Sequence, residues 1–140
     1  MRLDWLQEID HTGDCGYIIT AASPKQLFER AAQALFYTLT DPSLVEENEQ
    51  LFFEIRADDK HALLREWLSR LNYIHITEHL LFRKFQITAL SETHCSALAF
   101  GEKIDFDRHE IYTEIKAITY HGLKIEKKNN QWQAQVIFDL

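Results

Sequence analysis

The sequence predicts an α+β domain of two layers, a mainly antiparallel sheet with two main helices on one face. Three observations lead there. Two segments carry apolar residues at helical spacing and open on capping sequences. The other apolar runs alternate in polarity or are rich in β-branched residues, as strands are. Several of these runs follow one another across short polar turns, which favours hairpins and therefore antiparallel pairing. The chain of 140 residues suits one domain, residues 1–140. With 46% hydrophobic residues it can build a core without disulfide or metal staples.

In chain order, a strand-like run precedes the loop "DHTGDCG" at 10–16, and "YIITA" at 17–21 reads as the strand after it. The first helix opens at "SPKQ": Ser23 caps, Pro24 takes the first helical position and Gln26 completes a capping box. Leu27, Phe28, Ala31, Ala32, Leu35, Phe36 and Leu39 form its buried stripe, and Pro42 follows its end. "LFFEIRA" at 51–57 alternates as a strand. The second helix opens near "RADDKH", where Asp58 or Asp59 caps. Leu63, Leu64, Trp67, Leu68, Leu71 and Ile74 make its stripe, which fades between Tyr73 and Glu78. Residues 85–102 read as a hairpin turning near Glu92 and Thr93, and residues 113–140 as two strands joined at Asn129 and Asn130. Four Gly and two Pro leave no linker.

Composition narrows the function classes. A formal net charge of -7 disfavours direct binding to nucleic acid, whose phosphates need Lys and Arg. The two cysteines, Cys15 and Cys95, form no CxxC, so the expectation is reduced thiols in a cytoplasmic protein. Asp4 and Glu8 near the N-terminus are unlike a signal peptide, and no apolar run approaches the ~20 residues of a membrane span. The chain contains no GxxxxGK[ST], GxGxxG or GxSxG motif.

Five groups of residues are candidates for chemistry. In "DHTGDCG", Gly13 and Gly16 permit a tight turn that the Asp and Thr oxygens stabilise. The sharper reading makes Asp14 a ligand for a hard cation; alternatively His11 orients a neighbour by hydrogen bonding, and no spacing rule decides between them. At the other end, "VIFDL" puts Asp139 beside the carboxylate of Leu140. Such an end is usually frayed. If both groups were fixed about 4 Å apart at an effective dielectric near 20, their repulsion would cost ~4 kcal/mol before screening, and a cation would reverse the sign. Asp105, Asp107 and Glu110 lack the register of an EF-hand and read as a solvated connection. His75 and His79 stand four apart without the Glu of HExxH and read as structural, while His61, His94 and His109 form no pattern and His121 suits a surface strand. Cys15 with His11 is a poor nucleophile–base pair, lacking a third group to orient the base.

Together these segments resemble one family, the archeases. The resemblance is carried by "DHTGDCG", "LLREWLSRLNYI", "FGEKIDFDRHEIYTEIKAITYHGLKIEK" and "WQAQVIFDL", in the same order and over essentially the whole chain. It implies an accessory protein of an RtcB-type RNA ligase, the enzyme that joins 3′-phosphate or 2′,3′-cyclic phosphate ends of RNA to 5′-hydroxyl ends in tRNA splicing and RNA repair. By the resemblance, such a protein promotes guanylylation of the ligase and its multiple turnover. It meets RNA only indirectly and is not itself an enzyme. The resemblance also implies a divalent metal ion, Ca²⁺ with Mg²⁺ or Mn²⁺ as alternatives, held by Asp14, Asp139 and the terminal carboxylate of Leu140. Glu102, Lys116 and His121 lie in matching segments without an implied metal role. Gly13 replaces the family's usual Ala, a mild change. Cys15 replaces an apolar residue, which would place a redox-sensitive thiol beside the metal. Two other classes stand as alternatives: an autonomous small metal-dependent hydrolase or phosphotransferase, and a chaperone-like partner of an RNA-modification enzyme.

Overall fold

A computed structural model describes residues 3–9 and 13–140. The roles considered for His11 fall outside the described residues.

The expected α+β class is what the chain adopts, with eight strands and two long helices among the described residues. Strand β1 spans Leu6–Ile9 and β2 spans Asp14–Ala21. Helix α1 follows at Pro24–Leu39, then a short 3-10 turn at Pro42–Leu44 and β3 at Glu49–Arg56. Helix α2 covers Lys60–Glu78, and β4 (Leu80–Leu90) and β5 (His94–Lys103) form a hairpin. The chain ends with β6 (Ala117–Ile118), β7 (Lys124–Lys128) and β8 (Gln131–Asp139).

Both helices start where their capping residues predict. The Ser23 hydroxyl accepts from Gln26 N–H at 3.2 Å, and Gln26 Oε1 accepts in return from Ala22 N–H at 2.8 Å, one residue further back than in the usual box. Of the two candidates, Asp59 caps α2, accepting from Ala62 N–H at 2.8 Å. The whole predicted stripe of α1 is buried, and so is that of α2 up to Leu71, with Ile74 half-buried. The second helix does not fade after Tyr73. It continues to Glu78 and stops at His79, whose φ of 56° is left-handed. Its last turns are held by buried polar groups that an apolar stripe does not reveal. Asn72 Nδ2 donates to Ile115 O at 2.8 Å, and His75 Nδ1 donates to Leu80 O at 2.9 Å.

The strands divide between two antiparallel sheets instead of forming one. The first has the order β1-β2-β8-β6, with β7 also pairing along β8; the second has the order β3-β5-β4. Residues 104–116, which have no regular structure, carry the chain from the second sheet back to the first. Each helix touches strands of both sheets, and the core lies where these layers meet. At its centre Phe36 and Phe82 meet edge to face with centroids 5.6 Å apart, as do Phe53 and Trp67. The buried Trp67 indole donates to Phe28 O at 3.0 Å, tying α2 to α1.

The β4–β5 hairpin turns where expected but starts at Leu80, earlier than the predicted 85. Register shifts between Phe82 and Lys84 and between Ile87 and Ala89 interrupt the alternation of β4. Ahead of them "LLF" is buried at three consecutive positions, as in a strand covered on both faces. The β7–β8 turn falls at Asn129 and Asn130, with φ of 54° and 64°. Two consecutive positive φ values define the type I′ hairpin, which Asn tolerates well.

Candidate metal centre at the paired strand ends

The second strand and the last strand meet in the first sheet. Gly13, with φ +76°, turns the chain into β2. The register of β2 on β8 then runs without a shift from Ala21↔Trp132 to Asp14↔Asp139. Directly opposed residues of an antiparallel pair share a face, with Cβ atoms ~5 Å apart. The two aspartates are therefore cross-strand partners. Alternation also fixes which face. Tyr17, Ile19 and Ala21 of β2 and Phe138, Val136 and Ala134 of β8 are buried in the core, so Asp14 and Asp139 point the other way. Gly16 makes room on that outer face, since a Cβ there would lie 2.7 Å from Ile9 Cγ1.

The opposite edge of β8 is covered by the segment "KAIT". Ala117 pairs with Asp139, Lys116 N–H donates to Asp139 O at 2.7 Å, and Thr119 N–H donates to Ile137 O at 3.2 Å. Both edges of the strand end are thus bonded, which holds Asp139 in place. Leu140 is half-buried and packs against the core cluster.

Two opposed carboxylates are the donor type a hard cation takes. Like charges placed directly opposite on a sheet are destabilising, and a divalent ion turns that repulsion into attraction. Carboxylate oxygens suit Ca²⁺, Mg²⁺ or Mn²⁺. Among the described residues no three His, Cys, Asp or Glu side chains group as a metal site.

Other sequence candidates lie elsewhere. Cys15 pairs with Phe138 on the core-facing side of β2, so its thiol is on the face opposite Asp14. The expected thiol beside a metal is not formed, because adjacent strand residues point in opposite directions. Burial raises the Cys15 pKa above its ordinary value, with a bond to Tyr17 partly opposing, which keeps the sulfur protonated and a weak nucleophile. It lines a cavity of about 750 Å³ with Tyr17, Thr38 and Tyr112. His79 is exposed at the helix end while His75 is buried within the helix, so the pair does not share a helical face. His121 is exposed as expected but lies in a turn, not a strand, its carbonyl accepting from Thr119 Oγ1 at 2.9 Å. Lys116 is exposed and reaches the site through its backbone.

Asp105, Asp107 and Glu110 are exposed, as a solvated connection should be. Beneath them, however, is an ionic cluster that sequence reading missed, built from the buried Glu102 and His109 and the exposed Arg108. Glu102, at 6% exposure, accepts from Arg108 Nη2 at 2.6 Å, from Arg108 Nη1 at 2.8 Å and from Glu46 N–H at 2.6 Å. His109 Nδ1 accepts from Asp105 N–H at 2.9 Å, which leaves Nε2 to donate to Glu102 at 3.1 Å. The only sequence signal is an acid followed six and seven residues later by Arg and His, a spacing without a periodic meaning. The Arg108 bonds, above all, hold the Glu102 carboxyl down to about 2 against the effect of burial. A depressed folded-state pKa stabilises the fold above the ordinary value of 4.5, and that contribution fades as pH falls towards about 2. The expected result for Glu102→Gln is lower stability at neutral pH and a smaller loss between pH 4.5 and 2, read by thermal melts across that window. Parallel pH profiles for variant and parent would refute it.

Comparison with known proteins gives a consistent picture. Residues 6–140 match the model of the Archease protein family (MTH1598/TM1083). The chain is similar to protein archease of Methanopyrus kandleri, 36% identical over 137 residues that cover 96% of this chain and 98% of the relative. It is 38% identical to protein archease of Methanothermobacter thermautotrophicus over 134 residues, 94% of this chain and 95% of the relative. Among solved structures, the solution structure of Methanobacterium thermoautotrophicum protein 1598 superposes with a TM-score of 0.85 at 36% identity, covering 99% of this chain and 100% of that one. An archease from Thermotoga maritima, described as a possible chaperone, shares the fold with a TM-score of 0.66 at 23% identity, over 100% of this chain and 98% of that one.

Proposed function

This chain belongs to the archease family, and from that membership we propose that it is a metal-binding accessory protein of an RtcB-type RNA ligase, promoting guanylylation and repeated turnover. The observation that supports the reading best is the opposition of Asp14 and Asp139 at the end of the β2–β8 ladder, beside the chain terminus. Two acids placed across a sheet weaken the fold by themselves. Their position makes sense if a cation, and a partner's anionic groups beyond it, complete the arrangement.

Asp14, Asp139 and the Leu140 carboxylate would hold the ion. A divalent cation so bound supplies positive charge beside a nucleotide's phosphates. The chain's own residues do the rest. β2 and β6 fix Asp139 from both edges, and Gly16 leaves the space on the outer face that the Ile9 side chain fills. Three anionic ligands leave coordination positions for water or for groups of the ligase, since Ca²⁺ takes six to eight oxygens. The overall charge of -7 suits docking on a basic, RNA-handling protein.

The test is ligase turnover with excess RNA, with and without this protein, repeated with Asp14→Ala. The expected outcome is multiple turnover with the parent and a single round of ligation or less with the variant, at least a tenfold difference. Equal stimulation by parent and variant would remove the carboxylate site from the mechanism. RNA or nucleotide turnover by this protein and divalent metal without ligase would instead favour the autonomous hydrolase.

A further inference from the structure

We infer that Arg65 and Asn72 of α2 are positioning residues for the Asp14–Asp139 site, acting through the segment 115–120 that runs between the helix and β8. The inference rests on the carboxylate reading above. β6 consists of Ala117 and Ile118 alone, too short a strand to secure itself by ladder bonds. Its sheet side holds the end of β8, through Lys116 N–H on Asp139 O at 2.7 Å and Thr119 N–H on Ile137 O at 3.2 Å. Its helix side is held by two side chains. Arg65 Nε–H donates to Ile118 O at 2.8 Å, and Asn72 Nδ2 donates to Ile115 O at 2.8 Å. The Arg65 guanidinium also lies 4.3 Å from the centre of the Tyr120 ring, within cation–π range. The two donors bracket Lys116 and Ala117, the residues that bond to and pair with Asp139.

Asn72 is an expensive choice for this place. It is 5% exposed, and its Oδ1 has no hydrogen-bond partner among the described residues. A buried orphaned acceptor costs stability, and Asn is a poor residue for a helix interior. Packing alone asks for Leu, as at Leu64, Leu68 and Leu71 of the same helix. The amide is accounted for by what its Nδ2 grips. The end of a strand frays unless tied down, and a ligand set works only while its supports keep the oxygens converging. The helix supplies that support.

The experiment uses Asn72→Leu and Arg65→Met in the full chain. Asn72→Leu removes one orphaned acceptor and creates another at Ile115 O, so its melting temperature should stay close to the parent's. Two readouts follow: Ca²⁺ affinity by titration calorimetry, and hydrogen exchange of the Lys116 amide. The expected result is a roughly tenfold weaker Ca²⁺ affinity and roughly tenfold faster Lys116 exchange in both variants, at temperatures well below unfolding. Parent-like affinity and exchange in either variant would overturn the inference, as would Asn72→Leu losing only thermal stability. If the parent itself takes up no Ca²⁺, the metal reading fails, and Lys116 exchange alone then decides whether the helix positions the strand end.

Discussion

Asp139→Asn is expected to reverse the order of stability between variant and parent when Ca²⁺ is added. Without divalent cation, the parent carries two carboxylates directly opposed across the β2–β8 ladder. Directly opposed like charges are destabilising, so the variant should melt slightly above the parent. With Ca²⁺ at a hundred times its dissociation constant, the parent gains about 2.7 kcal/mol because only the folded chain has the site. The variant lacks one of the two opposed anions and should gain little. Calorimetric melts in chelator and in millimolar Ca²⁺ read the crossing. A parent whose melting temperature ignores Ca²⁺, Mg²⁺ and Mn²⁺ alike would leave the proposed centre without its ion.

The same substitution separates two uses of the proposed site. In one, the cation serves the phosphates at the ligase centre; in the other, it only shapes the chain end for docking. Asparagine keeps the size of the side chain while removing its charge. If Asp139→Asn binds the ligase as the parent does but fails to support turnover, the charge acts at the chemistry. If binding and turnover fall together, the docking role is the right one.

Gly101→Ala should have the largest effect on stability. Gly101 of β5 pairs with Phe82 of β4, next to the shift in register. A Cβ at this position would lie 1.8 Å from the carbonyl oxygen of Leu81 and 2.8 Å from both Leu81 C and Phe82 Cα. These are backbone atoms of two fully buried residues, so they cannot swing aside as a flexible side chain would. Relief requires separating β4 from β5, the hairpin that carries Leu81, Phe82 and Phe85 into the core. Overpacking typically costs 1–3 kcal/mol and sometimes more, and this contact belongs at the upper end, about 3 kcal/mol, or roughly 6–12 °C in melting temperature. The displacement would also reach Glu102, the next residue, and loosen its bonds to Arg108 and Glu46. A variant melting within 2 °C of the parent would show that the two strands are not packed so closely.

Much of this molecule was legible from its residues, because local rules produced it. Ser23 and Asp59 cap the helices, the α1 stripe is buried residue for residue, and Asn129 and Asn130 make the final turn. Each depends on neighbours within a few positions, where spacing and backbone preference act directly. The family too was visible in linear order, from "DHTGDCG" to the terminal "VIFDL". What tertiary structure alone decided involves partners far apart in the chain. The division into two sheets, the face on which Cys15 lies, the Glu102–Arg108–His109 cluster and the grip of Asn72 on Ile115 all belong here. So does the opposition of Asp14 and Asp139. The sequence carried both acids, but only the strand register brought them face to face, because hydrogen bonding between distant strands has no signature in either strand alone.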